Sequence, residues 1–166
     1  MDGRQLRELM RSHITGVCAV TLASPHGPYG ITVNSFTSLS LDPPLISFAI
    51  ADTLGGHPLF HTDALMAVHI LTATQASLAE VFARRGIANR FDLVDWQYEE
   101  HGIPILSNAL VTLVASIEST IAGGDHDIII GRVMQGWSAT AISDLEPLIF
   151  YRGHFHSLKE CEDCEV

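Results

Sequence analysis

Between residues 17 and 155 the chain carries at least six apolar, strand-like segments, only one strong helical pattern, and no regular strand–helix alternation. Parallel sheets need helical crossovers, so this order excludes a doubly wound fold and predicts a mainly β, closed antiparallel barrel with a few helices. "VCAVTL" and "GITVNSFTSLSL", joined by the turn "SPHGPYG", read as a hairpin. In the second strand the apolar phase slips between Val33 and Phe36, which predicts a β-bulge around Asn34 and Ser35. "LISFAIA" follows "DPP" as a strand buried on both faces, and "LMAVHIL" adds another. Three more strands, "ALVTLVASIES", "HDIIIGRVMQGW" and "PLIFYRGHF", complete the set.

The helical signals are few. Leu6, Leu9, Met10 and Ile14 are spaced for a short helix over 4–13 that ends by Gly16. "TATQASLAEVFARRG" is the clearest helix, with Ser77 and Glu80 as a capping box and Gly86 as its stop. "GGHPLFHTD" reads as a turn or short helix, and 87–108 as irregular. The barrel domain is expected over 1–158, followed by a disordered acidic tail over 159–166.

With 47% hydrophobic and 17% charged residues the chain has ample material for a core and little to cover a large apolar surface, which favours a homo-oligomer. Its net charge of -10 disfavours nucleic acid, which needs a basic surface. No apolar run is long enough for a membrane helix and no secretory signal is visible, so the expected location is the cytoplasm. Cys18 lies in an apolar strand and reads as a buried hydrophobe, while Cys161 and Cys164 form a lone CxxC without a second pair to complete a zinc site.

Candidate chemistry gathers in a few places. Asn34, Ser35, Thr37, Ser38 and Ser40 form a hydroxyl-rich row, able to cradle a phosphate or to make an ordinary wet strand face. Arg84, Arg85 and Arg90 are the one basic cluster, either a solvated helix end or a phosphate partner. His57 and His61 have helical spacing but lack a third ligand in a zinc pattern, and no metal is expected. His69 could face either way in its strand, and the His154–His156 pair reads as surface. His126, between two aspartates after the Gly123–Gly124 turn, is either a solvated turn residue or a site residue at the barrel mouth. There is no P-loop, no GxGxxG and no GxSxG elbow.

Taken together, "TGVCAVTLAS", "GITVNSFTSLSLDPPLISFAI", "HILTATQASLAEVFARRGIANRF", "GGDHDIIIGRVMQG" and "EPLIFYRGHFHSL" resemble the short-chain flavin reductases over about residues 5–158. The resemblance implies an FMN-binding split barrel, antiparallel and Greek-key-like, working as a homodimer. It implies hydride transfer from NADH or NADPH to FMN or FAD, with the reduced flavin passing to a separate flavin-dependent monooxygenase. By position it implies cofactor contacts from Thr32, Val33, Asn34, Ser35, Thr37, Ser38 and Ser40, and from Phe48, Ala49, Ile50 and Ala51. It adds Phe82, Ala83, Arg84 and Arg90 toward the phosphate, His126 beside the nicotinamide as the catalytic residue, and Tyr151, Arg152, Gly153 and His154 closing the pocket. Two other classes compete: a flavin-binding electron-transfer or storage protein without NAD(P)H turnover, and a metal- or haem-handling split barrel using His57, His61 and the terminal histidines.

Overall fold

The computed structural model describes residues 1–84, 86–87, 89–139 and 145–158. Arg85 and the CxxC tail lie outside the described residues. The order is α1 (Gly3–Met10), β1 (Thr15–Gly16), β2 (Cys18–Ser24), β3 (Gly27–Val33), β4 (Thr37–Leu41), β5 (Pro44–Ala51), β6 (Leu65–Ile70) and α2 (Ala76–Ala83). Then come β7 (Trp96–Tyr98), β8 (Pro104–Leu106), β9 (Val111–Ala122), β10 (His126–Ser138), β11 (Ile149–Tyr151) and β12 (His154–His156), with single 3-10 turns at His57–Leu59, Ala73–Gln75 and Arg90–Leu93.

Seven strands form one antiparallel sheet in the order β3-β2-β6-β9-β10-β5-β4. The sheet rolls up until β3 meets β5, but no ladder joins the two among the described residues. The barrel is therefore split at that seam, as the resemblance implies, and is not the closed barrel that the strand pattern alone predicts. Alternate residues of its strands fill the interior: Val20 and Leu22 on β2, Ile46, Phe48 and Ile50 on β5, Met66 and Val68 on β6, Ile117 on β9 and Ile129 on β10. Burying these side chains is the main stabilising term, about 1.5–3 kcal/mol for each large one.

A second apolar cluster sits outside the barrel, where Val17 and Ala19 of β2 meet Ala79 and Phe82 of α2, together with Phe91, Leu106 and Leu148. β2 is thus buried on both faces. β5 is not: Ile46, Phe48 and Ile50 point inward while Ser47, Ala49 and Ala51 are only half-buried, so the expectation of burial on both faces applies to the wrong strand.

Other expectations change in instructive ways. The single bulged strand is two strands: β3 ends at Val33, β4 begins at Thr37, and they stand at opposite ends of the sheet. The phase slip marks a crossover at 34–36, and the bulge lies further on, between Ser38 and Ser40 against β5. α1 stops at Met10 rather than 13, capped by Asp2 and Gln5, and Gly16 belongs to β1. The clear helix begins at Ala76, after a 3-10 turn in which the Thr72 N–H donates to Gln75 Oε1 at 3.1 Å, so Thr72 and Gln75 replace Ser77 and Glu80 as the start signal. "PLIFYRGHF" is a hairpin, turned at Arg152 and Gly153, both at positive φ and so suited to a tight two-residue turn. The 87–108 segment contains the 3-10 turn and the β7–β8 hairpin.

That hairpin covers an apolar outer face of the barrel and one polar ladder. Thr21 Oγ1 donates to the Pro104 carbonyl, so it must accept from His69 Nε2 at 3.0 Å. His69 Nδ1 is then the acceptor for Thr112 Oγ1 at 3.2 Å, giving a neutral Nε2–H imidazole with both nitrogens satisfied. Burial pushes this ring down from 6.5 to about 3. An unfolded histidine takes up its proton near pH 6.5, whereas the folded one resists until about pH 3. The stabilising contribution is therefore complete above pH 6.5 and is lost as pH falls toward 3, at about 1.4 kcal/mol per pH unit. Urea denaturation from pH 7.5 downward checks this: His69→Leu should flatten the acid slope, and an unchanged slope would remove His69 as its cause.

Candidate active site

A cleft of about 1050 Å³ opens along the seam between β3 and β5. One wall is Ala49, Ile50 and Ala51 of β5, continued by Thr53, Leu54 and Gly55 and by His126 at the start of β10. His126 reaches this wall because it pairs with Ala51 in the β5–β10 ladder and so shares its outward face. The opposite wall is β3 from Pro28 to Val33, the end of α2 at Phe82 and Ala83, and Gly86, Ile87, Asn89, Arg90, Phe91, Asp92 and Trp96. Asn34 and Ser35, in the crossover, close the cleft between them.

Close backbone approaches shape the walls. A Cβ on Gly30 would lie 2.7 Å from the Phe82 ring, so only glycine lets α2 settle against β3 here. A Cβ on Gly56 would lie 2.1 Å from the Tyr29 ring, and the Gly56 N–H donates to Tyr29 Oη at 3.1 Å. The segment after β5 is thereby pinned to β3 across the seam.

Several polar side chains that the sequence marks for ligand are engaged by the protein itself. Thr32 Oγ1 donates to the Ala79 carbonyl at 2.8 Å, docking α2 on β3. Ser35 Oγ accepts from the Ala49 N–H at 2.9 Å, tying the crossover to β5. The Arg90 guanidinium gathers three backbone carbonyls, those of Gly30, Phe82 and Arg84. It thus braces the β3–α2 corner. Arg84 is exposed and paired with Glu80 at 2.7 Å. His126 Nδ1 lies 2.7 Å from Asp125 Oδ1, and that hydrogen bond holds the Asp125 carboxyl below its ordinary range.

Thr32, Val33, Asn34, Ser35, Ala49, Ile50, Ala51, Phe82, Ala83, Arg90 and His126 are therefore brought together in one cleft. Thr37, Ser38 and Ser40 are not, because β4 runs beyond β5 on the far edge of the sheet. Phe48 points into the barrel core, edge-on to Phe60 at 6.1 Å, because alternation gives β5's outward positions to its neighbours. Tyr151, Arg152, Gly153 and His154 belong to the β11–β12 hairpin of a separate small sheet with β1, where Arg11 Nη2 donates to the Arg152 carbonyl at 2.9 Å. They do not line the cleft of a single chain.

Sequence reading misses Tyr29, the Thr53–Gly55 segment, Asn89 and Trp96. Their signals are weak, with only the paired glycines at 55–56 marking a close approach. Burial pushes the Cys18 thiol up to about 12, in keeping with a buried hydrophobe rather than a nucleophile. His57 and His61 do not form a pair: His57 Nε2 lies 3.0 Å from Asp127 Oδ2, while His61 Nδ1 meets the Thr62 carbonyl. Asp52, His57 and Asp127 bring ligand-capable atoms within 4.8 Å of one another.

Replacing Arg90 by Met should cost about 2 kcal/mol or more in stability, since it orphans three carbonyls that now receive a charged donor. Urea denaturation would read this loss, and unchanged stability would remove the bracing role.

Comparison with known proteins places this architecture. Residues 10–159 match the flavin reductase like domain. The chain is 38% identical over 154 residues to the FMN reductase (NADH) SmoA of Agrobacterium fabrum, covering 93% of this chain and 85% of that protein. It is 32% identical to HsaB, the reductase subunit of a flavin-dependent monooxygenase of Rhodococcus jostii, covering 96% of this chain and 80% of that one. The NADH:FAD oxidoreductase SgcE6 of Streptomyces globisporus, solved in complex with NAD and FAD fragments, superposes with a TM-score of 0.87 at 34% identity, covering 98% and 96% of the two chains. By sequence and by fold, then, this chain belongs to the flavin reductase like family of oxidoreductases.

Proposed function

We propose that the chain is an NADH-dependent flavin reductase that accepts FMN or FAD and supplies reduced flavin to a partner monooxygenase. The observation that carries this is the cleft at the barrel seam, with a wall of small side chains that His126 extends. Ala49 and Ala51 offer a flat, half-buried surface against which an aromatic ring system can lie. The crossover at 34–36 stands outside every ladder, which leaves Asn34 and its neighbouring amides to serve a ribityl or phosphate group. Thr32, Ser35 and Arg90 hold the walls in place around that group.

The residues present fit a flavin. When bound, it supplies the hydride acceptor, so the protein needs no nucleophile and no metal of its own. What this chain contributes is placement: two cofactors held face to face, with water kept from the reacting atoms. His126 stands at the rim, where its imidazole can orient the nicotinamide carboxamide by a hydrogen bond while Asp125 fixes the ring. Relatives named for FMN, for FAD and for NADH support the same assignment.

The proposal includes a homodimer. Ile121, Ile128, Met134 and Trp137 are 40–49% exposed on the long β9–β10 ribbon, next to the wall that carries His126. A second copy covering this face would shield them and could bring Thr37, Ser38, Ser40 and the Tyr151–His154 hairpin to the cleft. None of the described helices is long and apolar enough to cross a membrane. The cytoplasm, which holds the NADH pool, is where the proposal sets the enzyme.

Steady-state NADH oxidation with FMN and with FAD tests the activity, and no turnover with either flavin would overturn it. His126→Ala should slow turnover about tenfold or more while leaving flavin affinity within about twofold; wild-type rates at saturating NADH would reject its role. Sedimentation at micromolar concentration should find a dimer, and a fully active monomer would contradict the shared site.

A further inference from the structure

The segment between β5 and Phe60 crosses the mouth of the barrel as a strap, and it is anchored at both sides by adjacent residues. Gly56 is bonded to Tyr29 on β3. His57, the next residue, places Nε2 3.0 Å from Asp127 Oδ2 on β10. The Asp52 N–H adds a bond to the Asp125 carbonyl at 3.1 Å, and Phe60 sinks into the core beyond the strap. Thr53, Leu54 and Gly55, between the anchors, line the cleft.

Strand alternation explains why the His57 anchor matters to a site it does not touch. Asp127 pairs with Ile50 and shares its inward face, whereas His126 pairs with Ala51 and faces the cleft. A side chain gripping Asp127 from inside the barrel therefore fixes the backbone that aims His126 outward. We propose that His57 and Asp127 are positioning residues that, through the strap and the first residues of β10, set the geometry of hydride transfer in the cleft. The inference rests on the assignment of the cleft as the flavin and nicotinamide site.

Both side chains are about three-quarters buried, His57 at 29% and Asp127 at 21% exposure. The approach is close but off the line of a good hydrogen bond, and Nε2 has no other partner among the described residues. Asp127 holds its carboxylate at ion-pair distance from that buried nitrogen, so the two residues should act as one unit. Asp52 stands beside them, but it is exposed and leaves the grip to Asp127.

A double-mutant cycle with a single-turnover readout tests this. Wild type, His57→Ala, Asp127→Ala and the double variant are mixed with NADH at saturating flavin, and flavin affinity is measured separately by fluorescence. Each single change should slow hydride transfer about tenfold, because small displacements of reacting groups are costly. The double variant should be slowed about tenfold as well, not about a hundredfold, since the pair is one unit. Asp127→Asn should recover most of the rate, and flavin affinity should stay within about twofold throughout. Single-variant rates within about twofold of wild type, multiplicative losses in the double, or a matching loss of flavin affinity would each overturn the proposal. Should an alanine variant fail to fold by circular dichroism, His57→Gln and Asp127→Leu take its place in the cycle. A wild-type rate lost on chelation and restored by zinc would assign Asp52, His57 and Asp127 to a cation and overturn the clasp. His126→Ala serves as the reference: its slowing alongside unaffected clasp variants would sink this inference alone. Wild-type rates in His126→Ala would sink the reading of that residue, with the coupling between positions 57 and 127 still deciding the clasp.

Discussion

The seam between β3 and β5 is the constraint on which the rest depends. A barrel closed by hydrogen bonds all round would have no room for a ligand except inside, and this interior is filled by Phe48, Ile129, Met66 and their neighbours. Leaving one pair of strands unjoined creates a groove with two backbone-lined walls, at the cost of edges that must be held by other means. The chain holds them with side-chain and crossover contacts: Thr32 to α2, Ser35 to β5, Arg90 to three carbonyls, and Tyr29 to the Gly56 amide. Polar groups clustered along a ligand cleft are thus partly structural. They replace the missing ladder.

This division of labour alters how the hydroxyl-rich row should be understood. Asn34 and Ser35 sit in the cleft, and the Ser35 hydroxyl bonds the backbone of β5, while Thr37, Ser38 and Ser40 lie on an edge strand turned away from a single chain's cleft. The row is not one continuous cradle. It spans a crossover, one side belonging to the seam and the other to an edge that a second subunit could use.

Much of the architecture was legible because its signals are local. Runs such as "IIIG" and "VCAVTL" declare strands, the single helical pattern limits crossovers, and the order of elements excludes a doubly wound sheet. The cleft residues Ala49, Ala51 and His126 were legible through resemblance, and strand alternation explains why they share a face. Phe48 shows the limit: a run named as a block includes alternate residues that point the other way, and only register says which. Tyr29 and the strap were not legible, because their meeting depends on two segments about 27 residues apart closing across the barrel mouth.

From its sequence alone the chain determined its strands, their antiparallel class and its kinship to a reductase family, because alternation, turn chemistry and motif order are properties of neighbouring residues. The tertiary structure alone decided which polar groups are available. Arg90 became a brace, Ser35 a tie, His69 a buried neutral link, and Asp127 the inward partner of His57. A side chain's chemistry is set by what the split barrel places within hydrogen-bonding reach of it, and much of that proximity is made by strands distant in sequence.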